Sequence, residues 1–120
     1  MKVFEDDWCL AFLDIAPFTK GHSIVVPKNH YVNLLDFPEE DMKVYLSAVK
    51  RVAAKLKSKL NADGINILQN NFKAAGQVVN HLHFHVIPRW ENDKAFPLRI
   101  KKQEISKEEI SEILKKINAS

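Results

Sequence analysis

Apolar positions recur along this chain with two periods, one suited to strands and one to helices. Trp8 to Leu13 is an apolar run of β-compatible residues closed by Asp14 and then Pro17, which predicts a strand entering a loop. His22 to Pro27 predicts a second short strand, opened by Gly21 and stopped by Pro27. Between Asp36 and Leu60, the residues Met42, Tyr45, Leu46, Val49, Val52, Ala53, Leu56 and Leu60 recur mostly at spacings of three and four. That spacing lays them along one face of a helix, with Pro38 near its first turn and Asn61 to Gly64 ending it.

Gly64 to Asn70 alternates as a strand does, and the polar stretch Asn71 to Gly76 predicts a turn or loop. A further strand is expected over 78–88, terminated by Pro88. Glu91 to Gln103 reads as a surface loop. Ser106 with Glu109 three residues later is a capping signature, followed by Ile110, Ile113, Leu114 and Ile117 on one stripe. This predicts a C-terminal helix over about 106–118 that packs on the sheet. Strand pairs adjacent in sequence favour antiparallel pairing over repeated βαβ winding, so the expected fold is α+β, with two main helices against an antiparallel sheet. The 120 residues suit one domain, 1–120.

Composition narrows the function classes. A 46% apolar and 28% charged chain is ordinary for a globular domain able to bury its own core. Cys9 is the single cysteine, so the 120 residues hold neither an internal disulfide nor a CxxC metal knuckle, and a reducing, cytoplasmic setting is the default expectation. No apolar run reaches about 18 residues, and the acidic start, Met1 to Asp7, does not read as a signal peptide, so no membrane association is expected. The net charge of +3 comes largely from lysines between Lys50 and Lys59 and between Lys101 and Lys116. No aromatics are interleaved with them, so they read as solvated helix faces and no nucleic-acid partner is expected.

Candidate chemistry concentrates in NHLHFHVIP, where His81, His83 and His85 alternate with Leu82, Phe84 and Val86. On a strand the imidazoles project from one face and the apolar residues from the other, with same-face neighbours roughly 6.5–7 Å apart. Three readings are open at this level. The histidines could be incidental on a half-exposed strand. They could hold a catalytic metal ion, which wants three protein ligands and one open position, although no HExxH motif, cysteine pair or carboxylate on this strand supports it. Or one neutral imidazole could attack phosphorus and form a covalent intermediate while its neighbours hold phosphate oxygens and serve the leaving group. Neither a GxSxG elbow nor a GxxxxGK[ST] loop competes.

These residues resemble the histidine-triad (HIT) superfamily, whose hallmark HxHxH followed by hydrophobic residues reads here His81-Leu-His83-Phe-His85-Val-Ile-Pro-Arg. FEDDWCLAFLDIAPFTKGHSIVVPKNH, from Phe4 to His30, looks like the family's entry segment, and Gly76-Gln77 stands before the histidines as it does there. The resemblance covers about Val3 to Arg89. It implies an antiparallel sheet of about five strands, a homodimer, and hydrolase or transferase chemistry at the α-phosphate of nucleoside phosphoramidates or (di)nucleoside polyphosphates. No cofactor and no metal are required in the main mechanism, and the nucleotide is expected to carry a purine, adenine first.

By the same resemblance His83 matches the nucleophile, His85 the residue that binds phosphate and assists the leaving group, His22 the fourth histidine of the site, and His81 the one supporting the nucleophile. Asp14 matches the acceptor for ribose hydroxyls, with Phe12, Leu13 and Ile15 as the apolar wall around the base. Asn70 and Gln77 match amides that contact phosphate or the leaving group, while His30 reads as structural or as a surface residue. Two departures stand out. The CxxC-bearing leading segment of many relatives is not matched, so its zinc site is not expected and part of the base pocket is absent or built differently. Val78 stands where several relatives carry Ser or Thr. The rival readings are a nucleotide-binding module without turnover, a metal-dependent hydrolase using the histidine cluster, and an enzyme acting on adenylylated DNA ends, for which no basic or zinc-bearing extension is visible.

Overall fold

The computed structural model describes residues 1–96 and 101–120. Five strands, β1 (Lys2–Glu5), β2 (Cys9–Leu13), β3 (Ser23–Pro27), β4 (Gly64–Leu68) and β5 (Phe84–Arg89), form one sheet in the order β1-β2-β3-β5-β4. Every neighbouring pair is antiparallel. The long helix α1 (Met42–Lys59) crosses one face, and α2 (Lys107–Asn118) follows near the C-terminus.

The core lies between α1 and the sheet, and the spacing read from the sequence explains which residues meet there. Tyr45, Ala48, Val49, Val52 and Leu56 of α1 are buried against Cys9, Ala11, Val25, Leu82 and Val86. Small Ala11 and Val25 at the middle of β2 and β3 let the helix approach, and the Tyr45 hydroxyl donates to the Val25 carbonyl at 2.8 Å. A buried phenol without that partner would lose on the order of 1–3 kcal/mol.

Three expectations are revised. β1 has no counterpart in the periodicity; it is a four-residue edge strand that pairs Phe4 with Ala11 and Glu5 with Leu10, with a bulge near Val3. The strand expected over 78–88 is the shorter β5, and Val78 and Val79 are exposed. His81, Leu82 and His83 precede its ladder in an irregular segment held by the Leu82 N–H, which donates to the Tyr31 carbonyl at 2.7 Å.

The third revision concerns α2, which forms where the cap predicted it, with the Glu109 N–H donating to the Ser106 hydroxyl. It does not pack on the sheet. Ile110, Ile113, Leu114 and Ile117 remain 46–71% exposed. The radius of gyration is 17.0 Å, against about 14 Å expected for a compact chain of this length. A capped, strongly amphipathic helix can form locally, but its stripe specifies a dry partner without saying where that partner is.

One glycine matters for the site. Gly21 has φ +95, and a Cβ there would lie 2.3 Å from Leu60 Cδ1 and 3.2 Å from Pro88 Cγ. Glycine therefore lets the chain turn tightly under Leu60 and deliver His22 into β3.

Candidate functional site

β5 is flanked by β3 and β4, so its outward side chains sit in the middle of the free sheet face. His85 pairs with Ile24 of β3 and with Leu68 of β4, while Phe84 and Val86 turn toward α1, the alternation expected of a pleated strand. The His83 and His85 rings are 4.9 Å apart and edge-on, and the His22 and His85 rings 5.1 Å apart. Asp14 closes the group, with its Oδ2 3.7 Å from His22 Nε2 and its Oδ1 accepting the Ala16 N–H.

Hydrogen bonding sets which nitrogen carries the proton in each neutral ring. The Phe18 N–H donates to His22 Nδ1 at 3.1 Å, so the His22 proton is on Nε2. That Nε2 lies 2.9 Å from His85 Nδ1 and donates to it, which leaves the His85 proton on Nε2. His83 Nδ1 lies 2.7 Å from the His81 carbonyl, which can only accept, so His83 keeps a bare lone pair on Nε2. Among the described residues, the two nitrogens of this group without a protein partner are thus a lone pair on His83 and an N–H on His85, one able to attack and the other able to donate.

Electrostatics hold His85 and His22 toward their neutral forms. Burial, then the neighbouring His83 and His22, push His85 down to about 4 despite the opposing pull of Asp14. Burial also lowers His22, which is 1% exposed, again against Asp14. Its cover comes from residues the sequence reading passed over. The Phe18 ring stacks on His22 at 5.4 Å and is met edge-on by Phe96, and Arg89 lies 4.1 Å over the Phe96 ring while gripping Asp93 and Asn66.

The expected site residues divide. His22, His83, His85 and Asp14 come together. His81 is turned to other partners: its Nε2 donates to the Pro27 carbonyl at 3.1 Å, and its Nδ1 faces His30 Nδ1 at 2.8 Å. Phe12 sits opposite Ile24 on the imidazole face and is half-buried, whereas Leu13 and Ile15 are exposed at its margin. Asn70 is half-buried, two residues past the Leu68–His85 pair that ends the β4–β5 ladder.

Gln77 differs from an amide open to phosphate. It is buried, and its amide donates to the Val32 and Val79 carbonyls while accepting from the Phe72 N–H and from Asn33. All four of its hydrogen-bonding directions are used to tie the loop before the histidines to the segment after β3. A sequence scan could have found His30 by asking what a fifth histidine near the end of β3 faces; nothing local marks Phe18 or Phe96.

Ligand atoms of Asp14, His22 and His85 lie within 4.8 Å of one another. A cation there would need the His22 Nε2 lone pair, forcing the His22 proton onto Nδ1 against the Phe18 N–H. The geometry therefore reads as a hydrogen-bonded relay before it reads as a metal centre. Hollows of about 620 Å³, beside Arg89 and Asp93, and about 850 Å³, beside Phe18, Leu60 and Trp90, are not walled by the imidazoles. Chemistry and not volume locates the site.

Comparison with known proteins places the chain in a family. The HIT domain matches residues 1–92. The HIT-like protein MJ0866 of Methanocaldococcus jannaschii is 45% identical over 115 residues, covering 96% of this chain and 86% of that protein. Adenylylsulfatase HINT3 of Arabidopsis thaliana is 41% identical over 93 residues, covering 78% of this chain but 47% of its own length. The crystal structure of a HIT family member from Bacillus subtilis superposes with a TM-score of 0.86 at 39% identity, over 97% of this chain and 84% of that one.

Proposed function

This chain belongs to the HIT family, and from that premise we propose that it is a nucleotide hydrolase or transferase acting at an α-phosphate through a covalent nucleotidyl-His83. The observation that carries the reading is the pair of free nitrogens, a lone pair on His83 Nε2 beside an N–H on His85 Nε2. The adenylylsulfatase relative, 41% identical over 93 residues, supports chemistry at an adenylyl group.

In the first step His83 Nε2 forms a bond to the α-phosphorus and the bond to the leaving group breaks, the electron pair departing with it. The positive charge that appears on the His83 ring is shared through Nδ1–H with the His81 carbonyl. His85 Nε2–H holds the phosphoryl or leaving oxygen, with its own ring fixed by His22. Water then forms the new P–O bond and gives up one proton to solvent as its O–H bond breaks, the P–N bond returns its pair to His83 Nε2, and a nucleoside monophosphate leaves.

Leaving-group chemistry follows from proton count. A phosphate, polyphosphate or sulfate departs as a stable anion and needs only the His85 hydrogen bond. An amine needs a whole proton, and neutral His85 has one ring proton, whose loss would leave an imidazolate; release of an amine from a phosphoramidate therefore calls on the charged form of His85.

In this reading Asp14 accepts ribose hydroxyls, Phe12, Leu13 and Ile15 wall the base, and Asn70 contacts phosphate. Gln77 contributes by ordering the loop. A purine, adenine first, and a cytoplasmic setting belong to the same proposal. So does a homodimer, supported by the uncovered stripe of α2 and by Ile67 and Leu68 on the edge strand β4, whose outer side pairs with no strand among the described residues. No helix among the described residues is long and apolar enough to cross a membrane.

The test is a panel of adenylyl and guanylyl sulfates, phosphoramidates and dinucleoside polyphosphates, with acid-quenched protein analysed for a nucleotidyl adduct. An adduct on His83, and loss of turnover with retained binding in His83→Ala, is the expected result. Wild-type turnover in His83→Ala overturns the mechanism, and nucleotide binding without turnover on any substrate leaves the binding-module reading.

A further inference from the structure

Two neighbouring residues, His30 and Tyr31, grip two others, His81 and Leu82. The Tyr31 carbonyl accepts the Leu82 N–H at 2.7 Å, and His30 Nδ1 lies 2.8 Å from His81 Nδ1. Because His81 Nε2 is committed to donating to the Pro27 carbonyl, His81 Nδ1 is the acceptor and His30 the donor. The His81 carbonyl belongs to the same planar peptide unit as the Leu82 N–H and points the opposite way. It is this carbonyl that holds His83 Nδ1–H at 2.7 Å.

We propose that His30 is a positioning residue for the nucleophile: by holding the His81 ring it fixes the peptide carbonyl that keeps the His83 proton on Nδ1 and the lone pair on Nε2. This rests on the reading of His83 as nucleophile. His30 touches neither His83 nor the free nitrogens, and it is exposed, so it acts only through its neighbour. The Tyr31 and Pro27 carbonyls stay in place without it. What His30 contributes is one hydrogen bond that removes rotational freedom from His81, and with it the freedom of the 81–82 peptide to tilt its carbonyl away from His83.

The variants are His30→Ala, which removes the donor, and His30→Asn, whose amide N–H falls about where the histidine Nδ1–H was. With an adenylyl sulfate substrate, His30→Ala is expected to lower kcat about five- to tenfold, the worth of one neutral hydrogen bond, with KM within about twofold. His30→Asn is expected to restore kcat to within about twofold. Nitrogen NMR of the ring gives a readout independent of turnover: His83 is expected in the Nδ1–H form in the wild type and in His30→Asn, and as a mixture of tautomers in His30→Ala. Wild-type kcat in His30→Ala, a loss that His30→Asn does not repair, or an unchanged His83 tautomer in His30→Ala each overturns the proposal. Absence of a His83 adduct in the wild type overturns the catalytic reading instead, while the tautomer comparison still decides whether His30 positions the ring.

Discussion

His22 Nε2 donates to His85 Nδ1 across 2.9 Å, and the direction of that bond is set four residues upstream, where the Phe18 N–H occupies His22 Nδ1. A single backbone amide thereby decides that the free nitrogen of His85 is a donor.

Leaving groups should respond differently to pH. Burial and the neighbouring imidazoles lower His85 to about 4, so its charged form grows scarce as pH rises above that value. Ionisation of the nucleophile affects every substrate alike and cancels in a ratio. The ratio of kcat/KM for an amine-releasing adenylyl phosphoramidate to that for an adenylyl sulfate is therefore expected to climb as pH falls from 8 toward about 4. A ratio flat across that range would show that His85 does not supply the proton.

Acid should destabilise the fold through the same pair. His22 and His85 are both lowered in the folded state, chiefly by burial, so below the ordinary histidine value of 6.5 the unfolded chain binds more protons than the folded one, for His85 down to about 4. Their contribution is complete above pH about 6.5 and is lost as pH drops below it, that of His85 toward about 4. Urea titrations at stepwise pH should show the midpoint falling through that window, and replacing His85 by Leu should flatten the fall.

Gln77 and Asn70 separate structure from chemistry. Gln77→Ala strips the partners from the Phe72 N–H and from two carbonyls, and should cost about 2–4 kcal/mol in denaturant unfolding. Asn70→Ala should change stability by under about 0.5 kcal/mol, as surface substitutions commonly do, while raising KM or lowering kcat. Equal stability losses in the two variants would remove the distinction.

The stripe of α2 should report on assembly. Ile113→Asp places a charge in the middle of four exposed apolar residues without touching the core between α1 and the sheet. Sedimentation is expected to show dimer in the wild type and a shift toward monomer in the variant, with the circular dichroism of the sheet and α1 retained. A monomeric wild type would leave the stripe without a second copy to cover it.

Much of this arrangement was legible along the chain. The placing of His83 and His85 opposite Leu82 and Val86, the spacing that buries Tyr45, Val49, Val52 and Leu56, and the Ser106 cap are local regularities, and each was found where the pattern placed it. β1 escaped because four residues with exposed ends carry no period; its strand character exists only in pairing with β2. The grip of Gln77 on Val32 escaped for a similar reason, since an amide looks the same along the chain whether it faces solvent or four hydrogen-bonding partners.

By itself the order of residues determined which side chains share a face, because that depends on the geometry of one strand or one helix. Tertiary structure alone decided the proton map: Phe18 over His22, His22 against His85, His30 against His81. A ring nitrogen becomes donor or acceptor according to what stands opposite it, and for His85 that partner lies 63 residues away along the chain.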